Sequence, residues 1–347
     1  MEVTRRRFVA AAAGGAGIGT LAGCTGSASD PSGTEAAGGS EGGATAQSSF
    51  FVFGDVTARV AGDATATGLL VPVGQHGHGW EPGPRVREDI RNADLLVHGM
   101  PGFQPWVDDV LTDLDADGEG VATVDISVDV DLLAPGEGDG HDHGGEEEHH
   151  EDDHHEENGT HADEDDEHGG GADPHFWMDP LRVRTAAGTV REALSSVDPG
   201  AADAHEANAA AFRADLEALH GDIEATVAEA DRDVLLVAGH NSFRYLGERY
   251  GLHVEALTGV APDDRPTTRD IERAREVIAE HDLRYVCADP IESGRAADQL
   301  VAETDAEAVL PLTAMPGLTD EWAEDDWGYL DVMREVNLPT LERALAR

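Results

Sequence analysis

The chain has 347 residues, with 71 Asp and Glu against 23 basic residues, every one of them Arg, for a net charge of −48. A surface this negative repels nucleic acid and anionic lipid, which excludes both as partners. Dense carboxylates with few strong hydrophobes are also the composition expected of an extreme halophile, where salt screens the self-repulsion.

Thr4-Arg5-Arg6-Arg7-Phe8-Val9-Ala10 is a twin-arginine pattern running into an Ala/Gly stretch that stops at Leu21-Ala22-Gly23-Cys24. Residues 1–23 therefore read as a twin-arginine lipoprotein signal, with Cys24 the acylated N-terminus after cleavage. The apolar stretch is too short and too Gly-rich to span a bilayer. Residues 24–49 are a flexible Gly/Ser/Thr/Ala tether. The expected location is the outer face of the cytoplasmic membrane, reached folded by the twin-arginine route and held by a lipid anchor.

Residues 50–198 are expected to form an N-terminal α/β lobe. Phe50-Phe51-Val52-Phe53 begins its first predicted strand and residues 68–73 its second; a helix over 86–93, a strand over 94–98, a helix over 106–114 and a strand over 121–124 follow. Short apolar runs alternating with helices imply a parallel sheet. Residues 137–172 interrupt the lobe with a polar segment that has no apolar periodicity and reads as a disordered loop. A helix over 181–197 follows, broken by Pro199 and Gly200. Residues 199–230 are a linking helix, with Phe212, Leu216, Leu219 and Ile223 at helical spacing. Residues 231–347 are a C-terminal α/β lobe. Its predicted strands are 234–238, 253–257, 285–288 and 308–310, and its helices 242–250, 268–281, 294–304 and 327–345. The fold class is thus α/β, two lobes with parallel central sheets joined by one long helix, and a cleft lined by loops at the strand ends.

There are two cysteines. With Cys24 lipidated, Cys287 is left without a disulfide partner, and its strand-like context predicts a packed core thiol. No Cys-x-x-Cys pair exists, so a structural zinc ribbon is excluded.

Residues 137–173 carry eight histidines and seventeen carboxylates without one cation. His141, His143, His149, His150, His154, His155, His161 and His168 with their acidic neighbours form a nitrogen and oxygen ligand set for a borderline divalent metal such as Zn(II). Three further histidines stand in loops at the edge of regular elements, where function sits on a rigid scaffold. They are His78 in Gly74-Gln75-His76-Gly77-His78-Gly79-Trp80-Glu81-Pro82, His175 in Asp173-Pro174-His175-Phe176-Trp177-Met178-Asp179-Pro180, and His240 in Gly239-His240-Asn241-Ser242-Phe243. Three neutral imidazoles suit Zn(II), which takes a fourth ligand from carboxylate or water. His205, His220, His253 and His281 read as surface or packing residues, and His98 as packed or supporting.

At these blocks the chain resembles the metal-specific solute-binding proteins of ABC importers, in their zinc and manganese branch. The resemblance covers residues 50–345. It rests on Gly-x-x-x-His-x-aromatic-Glu-Pro at 74–82, Asp-Pro-His-x-Trp-x-Asp-Pro at 173–180 and His-x-x-Phe-x-Tyr-Leu from His240. It implies His78, His175 and His240 as ligands of a metal buried between two lobes. Gly77 stands where the family usually has Pro, and Ala314 where manganese members have a carboxylate. Loss of that hard ligand, with the His-rich loop, favours zinc over manganese. The fourth ligand is left open among water, His76, Asp289 and Glu292. The implied function is capture of Zn(II) outside the membrane, by a monomer without enzymatic activity, for an ABC permease and its ATPase. Twisting of the lobes would part His78 and His175 from His240 to release the ion. Mn(II) or another divalent ion is the alternative cargo, and a surface metal buffer or adhesin the alternative role. A zinc hydrolase is disfavoured: no His-Glu-x-x-His motif occurs, and His205-Glu206 meets Ala209 where the second His would stand.

Overall fold

The computed structural model describes residues 43–77, 79–118, 120–134, 171–261 and 264–347. The signal, Cys24, residues 24–42 of the expected tether, the eight histidines of the acidic segment and His78 lie outside the described residues. Residues 43–49 are described, and Thr45–Ser48 among them form a paired strand, so the first lobe begins inside the span expected to be tether.

The first sheet is parallel, with strands β1 (Thr45–Ser48), β2 (Ala66–Leu69), β3 (Leu95–His98) and β4 (Ala122–Asp125) in the order β2-β1-β3-β4. Helices α1 (Phe51–Ala61), α2 (Pro84–Arg91) and α3 (Pro105–Asp117) connect them. After the acidic segment come α4 (Pro180–Val197) and the 27-residue α5 (Ala202–Ala228). At 1.5 Å per residue α5 is about 40 Å long, enough to run the length of a small domain. It passes Gly221 without a break.

The second sheet repeats the first, with β5 (Val234–Val237), β6 (His253–Ala256), β7 (Tyr285–Ala288) and β8 (Ala308–Pro311) in the order β6-β5-β7-β8, again all parallel. Helices α6 (Arg244–Tyr250), α7 (Thr268–His281) and α8 (Arg295–Glu303) cross over it. The chain ends in α9 (Asp320–Glu324), α10 (Tyr329–Val332), a π turn over Met333–Asn337 and α11 (Leu338–Leu345). The capping box of Thr267 and Asp270 starts α7, and Asp282, in the left-handed region, ends it.

The strand predicted at Phe50–Phe53 is a helix instead. The first strand is Thr45–Ser48, an inner strand paired with both β2 and β3. Phe51, Val52, Phe53, Val56 and Val60 of α1 are all buried, because α1 lies between its own sheet and α4 and α5. A helix covered on several sides loses its polar stripe, and its apolar run cannot be told from a buried strand by period alone. β1 was hidden for the opposite reason: Thr-Ala-Gln-Ser has little strand character and is held by pairing on both edges. The second strand likewise sits two residues before its predicted start and ends at Leu69.

One apolar core includes Leu95 and Val97 of the first sheet, Ala186 and Val190 of α4, Phe212 and Leu219 of α5, Leu235 of the second sheet and Leu341 of α11. The two sheets therefore share packing and are not separate globules. Cys287 lies in this core, and burial pushes its thiol up to about 12, so it is inert, as its strand context predicts.

Candidate metal site

In each sheet the strand order reverses between two neighbours, β1 and β3 in the first and β5 and β7 in the second. Connections leave such a point in opposite directions and open a crevice at the strand C-terminal ends. His240 follows β5, Glu292 follows β7, and His76 lies in the connection after β2. The crevices meet where Gly74 and Gly77 donate backbone hydrogen bonds to Leu318 (2.8 Å) and Pro316 (2.7 Å). The approach tolerates no side chain at two points. A Cβ on Gly317 would lie 2.2 Å from the Gln75 carbonyl oxygen, and one on Gly77 2.6 Å from the Phe50 ring.

Every residue from Asp173 to Pro180 except Pro174 is buried. Trp177 donates its indole N–H to Ala314 O at 2.7 Å, Tyr329 its hydroxyl to Trp177 O at 2.7 Å, and Tyr245 its hydroxyl to Asp173 O at 2.6 Å. The Trp177 ring backs the His175 ring at 5.3 Å. A carboxylate sets the imidazole's orientation: Asp173 Oδ1 accepts from the His175 backbone N–H at 3.0 Å and lies 2.8 Å from His175 Nδ1. His240 is arranged in the same way, its Nδ1 3.2 Å from Glu292 Oε1. With Nδ1 of both rings facing a carboxylate, Nε2 of both is the acceptor, and these two atoms face each other at 3.3 Å. Two ligands at Zn–N bonds of ~2.05 Å and a tetrahedral angle are about 3.3 Å apart. The carboxylate–imidazole–metal arrangement is the one that orients ligating histidines.

His175 is pulled below the ordinary histidine value, first by burial, which its contact with Asp173 only partly offsets. It is therefore neutral at pH 7, with Nε2 free of a proton. Burial pushes Glu292 up, but hydrogen bonds from His240 and His76 outweigh it and hold the carboxyl at about 2. His76 Nε2 is 3.6 Å from Glu292 Oε1, and the His76 and His240 rings are 6.5 Å apart.

Of the sequence's set of His78, His175 and His240 with His76, Asp289 or Glu292 beside them, the structure brings His175, His240, His76 and Glu292 together, while His78 lies outside the described residues. Asp289 it turns elsewhere. Asp289 Oδ2 accepts from Thr313 Oγ1 at 2.7 Å and Ala314 N at 3.1 Å, and Oδ1 from Ile291 N at 2.9 Å. Burial raises this carboxyl to about 6 against those bonds. Asp289 shapes the 312–318 loop and is not aimed at the imidazoles. His98 is packed, its Nδ1 bonded to Gly99 O at 2.7 Å. His205 is fully buried between Thr65 and Ser195. Among the described residues no three His, Cys, Asp or Glu side chains already enclose one ion-sized point.

One feature went unseen in the sequence. Helix α6, which follows His240, is fastened to the His175 segment from the other side. Arg244 reaches Asp173 at 3.2 Å and Ala134 O at 2.9 Å, Arg249 reaches Asp179 at 2.6 Å, and Arg182 bridges Asp179 at 2.9 Å and Glu248 at 2.8 Å. His175 is thus tied to the lobe that carries His240. A twist parting the two imidazoles would have to break this buried ion network, which makes the expected separation of His175 from His240 costly. Spacing gave no signal for it, because Arg–carboxylate pairs this far apart in sequence follow only from the fold.

A model of the family described as zinc-uptake complex component A, periplasmic, matches residues 47–344. The chain belongs to that family. It is 27% identical over 296 residues to the high-affinity zinc uptake system protein ZnuA of Bacillus subtilis, covering 85% of this chain and 86% of that protein. It is 28% identical over 298 residues to the zinc-binding lipoprotein AdcA of Streptococcus pneumoniae, covering 85% of this chain and 54% of AdcA. The chain spans about half the length of the AdcA relatives it matches. The crystal structure of the Zn(II)-bound ZnuA-like domain of Streptococcus pneumoniae AdcA superposes with a TM-score of 0.68 at 25% identity, over 88% of this chain and 100% of that domain. The two-lobed α/β architecture with its long connecting helix is the one shared with that structure.

Asp173→Asn keeps the shape but removes the charge facing His175 Nδ1. Zinc affinity is expected to fall about 10–100-fold by competitive titration, the usual cost of losing such a partner.

Proposed function

We propose that this protein captures Zn(II) outside the cytoplasmic membrane, between His175 and His240 with His78 as the third imidazole, and hands it to an ABC permease driven by its ATPase. The observation that carries this is the facing Nε2 pair at the zinc ligand spacing, in a chain of a zinc-uptake family. His78 enters on its motif, Gly74 through Pro82. Water completes the shell, with His76 and Glu292 beside it at the mouth of the crevice. The protein is a binding protein and not an enzyme, works as a monomer, and is exported by the twin-arginine route with Cys24 lipidated. Residues 24–42 serve as its tether, 43–198 and 231–347 as lobes and 199–230 as the linking helix. His141, His143, His149, His150, His154, His155, His161 and His168 add weaker sites that raise the local zinc concentration.

Calorimetric titration in high salt, with Zn(II) beside Mn(II), tests this. One tight Zn(II) site is expected, kept when residues 137–172 are deleted while weaker binding is lost. Protons compete with metal for imidazole nitrogen, so affinity holds from pH 8 to 7 and falls below about 6.5. The depressed pKa of His175 places its own contribution to that loss lower still. Tighter binding of Mn(II), or a tight site that disappears with the deletion, would overturn the assignment.

A further inference from the structure

The polar groups of the site are graded from solvent inward. The His76 and Glu292 side chains are 29% and 25% exposed, His240 is 5% and His175 is 1%. Short distances join the groups along this line. His76 Nε2 is 3.6 Å from Glu292 Oε1, that oxygen is 3.2 Å from His240 Nδ1, and His240 Nε2 is 3.3 Å from His175 Nε2. The first and last of these are close to the distance between two ligands on one tetrahedral zinc ion, about 3.3 Å, and the middle one is the hydrogen bond that holds the His240 ring against Glu292. His76 comes from the β2–α2 connection of one lobe and Glu292 from the β7–α8 connection of the other. The pair therefore spans the mouth of the crevice.

We propose that His76 and Glu292 form an entry relay, which takes the hydrated ion at the mouth and passes it to the buried nitrogens of His240 and His175. The inference rests on the reading that zinc is held between those two imidazoles. A hydrated zinc ion cannot reach His175 without shedding water, and losing all of it before a protein ligand replaces any is costly. A partly exposed imidazole and carboxylate replace the waters one by one, and the His240 ring stands directly against that carboxylate. Release runs through the same groups in reverse. A group used only in transit changes association and dissociation by the same factor, because it stabilises the path and not the end state.

The test is stopped-flow binding of Zn(II) to the full-length chain in high salt, with release followed by transfer to a fluorescent chelator. His76→Ala is expected to slow both rates together, each on the order of tenfold, with their ratio held within about twofold. His76→Asn, which retains bulk and polarity without an imidazole nitrogen, should behave alike, and unchanged thermal unfolding of both variants shows that the fold is intact. Faster release with a weaker equilibrium constant would make His76 a ligand of the final site and overturn the relay. Unchanged rates would also overturn it, leaving His76 a bystander at the mouth. Failure of the unaltered chain to bind zinc tightly is a different result, and defeats the zinc-capture reading itself.

Discussion

His240→Ala is expected to weaken Zn(II) binding by roughly a thousandfold, measured by competition with a chelator of known affinity. A protein zinc site of four ligands is worth about 10–16 kcal/mol, so one imidazole carries roughly 3–4 kcal/mol of it. His240 is the clean position for this experiment. Its ring sits just after β5 against Glu292 and faces His175 across the crevice. His175→Ala should cost as much affinity, but it also empties the space in front of the Trp177 ring and is expected to lower stability as well. If both variants bind zinc as tightly as the unaltered chain, the tight site is elsewhere, and the histidines of residues 137–172 become the place to look.

The second large effect is on stability. Asp179→Ala should destabilise the protein by about 3–5 kcal/mol, because it strips a buried carboxylate from two guanidinium groups. Asp179 is fully buried and accepts from Arg182 at 2.9 Å and from Arg249 at 2.8 Å, while its other oxygen caps α4 at Leu181 N. Arg182 is itself nearly buried and would keep its charge with Glu248 as its remaining carboxylate contact. At 2–4 °C per kcal/mol for a chain of this size, thermal unfolding should fall by roughly 6–20 °C. The control is Glu217→Gln, which breaks the exposed pair with Arg184 and should move stability by less than about 1 kcal/mol. Equal, small shifts in both variants would show that the network between α4 and α6 does not hold the lobes together. Since Asp179 lies four residues beyond His175, zinc affinity should drop alongside stability.

Most of the fold was legible because period and punctuation agreed. The α4, α5, α7 and α8 helices lie within about three residues of their predicted limits, since each has a polar stripe or clear breaking residues at its ends. The failure at Phe50–Phe53 came where helix and strand patterns converge on an unbroken apolar run. The site was legible in part. His175 stood out through a dense block of Asp, Pro, Trp and His, and His240 through its place at a strand end. Asp289 had the right chemistry and neighbourhood in the sequence, and only the hydrogen bonds to Thr313 and Ala314 reveal that its oxygens are engaged.

The sequence by itself determined the charge, the parallel α/β alternation, the candidate imidazoles and the family, because those depend on local pattern and on motifs a few residues long. The tertiary structure alone decided which nitrogen of each imidazole faces inward. The carboxylates that set this include Glu292, which reaches His240 from 52 residues along the chain. It alone also decided that His175 is anchored to the His240 lobe, through Arg244, Tyr245 and Arg249 packed on the Asp173–Asp179 segment. Side chains distant in sequence meet only once the sheets have closed, so no reading of neighbouring residues carries the geometry of that contact.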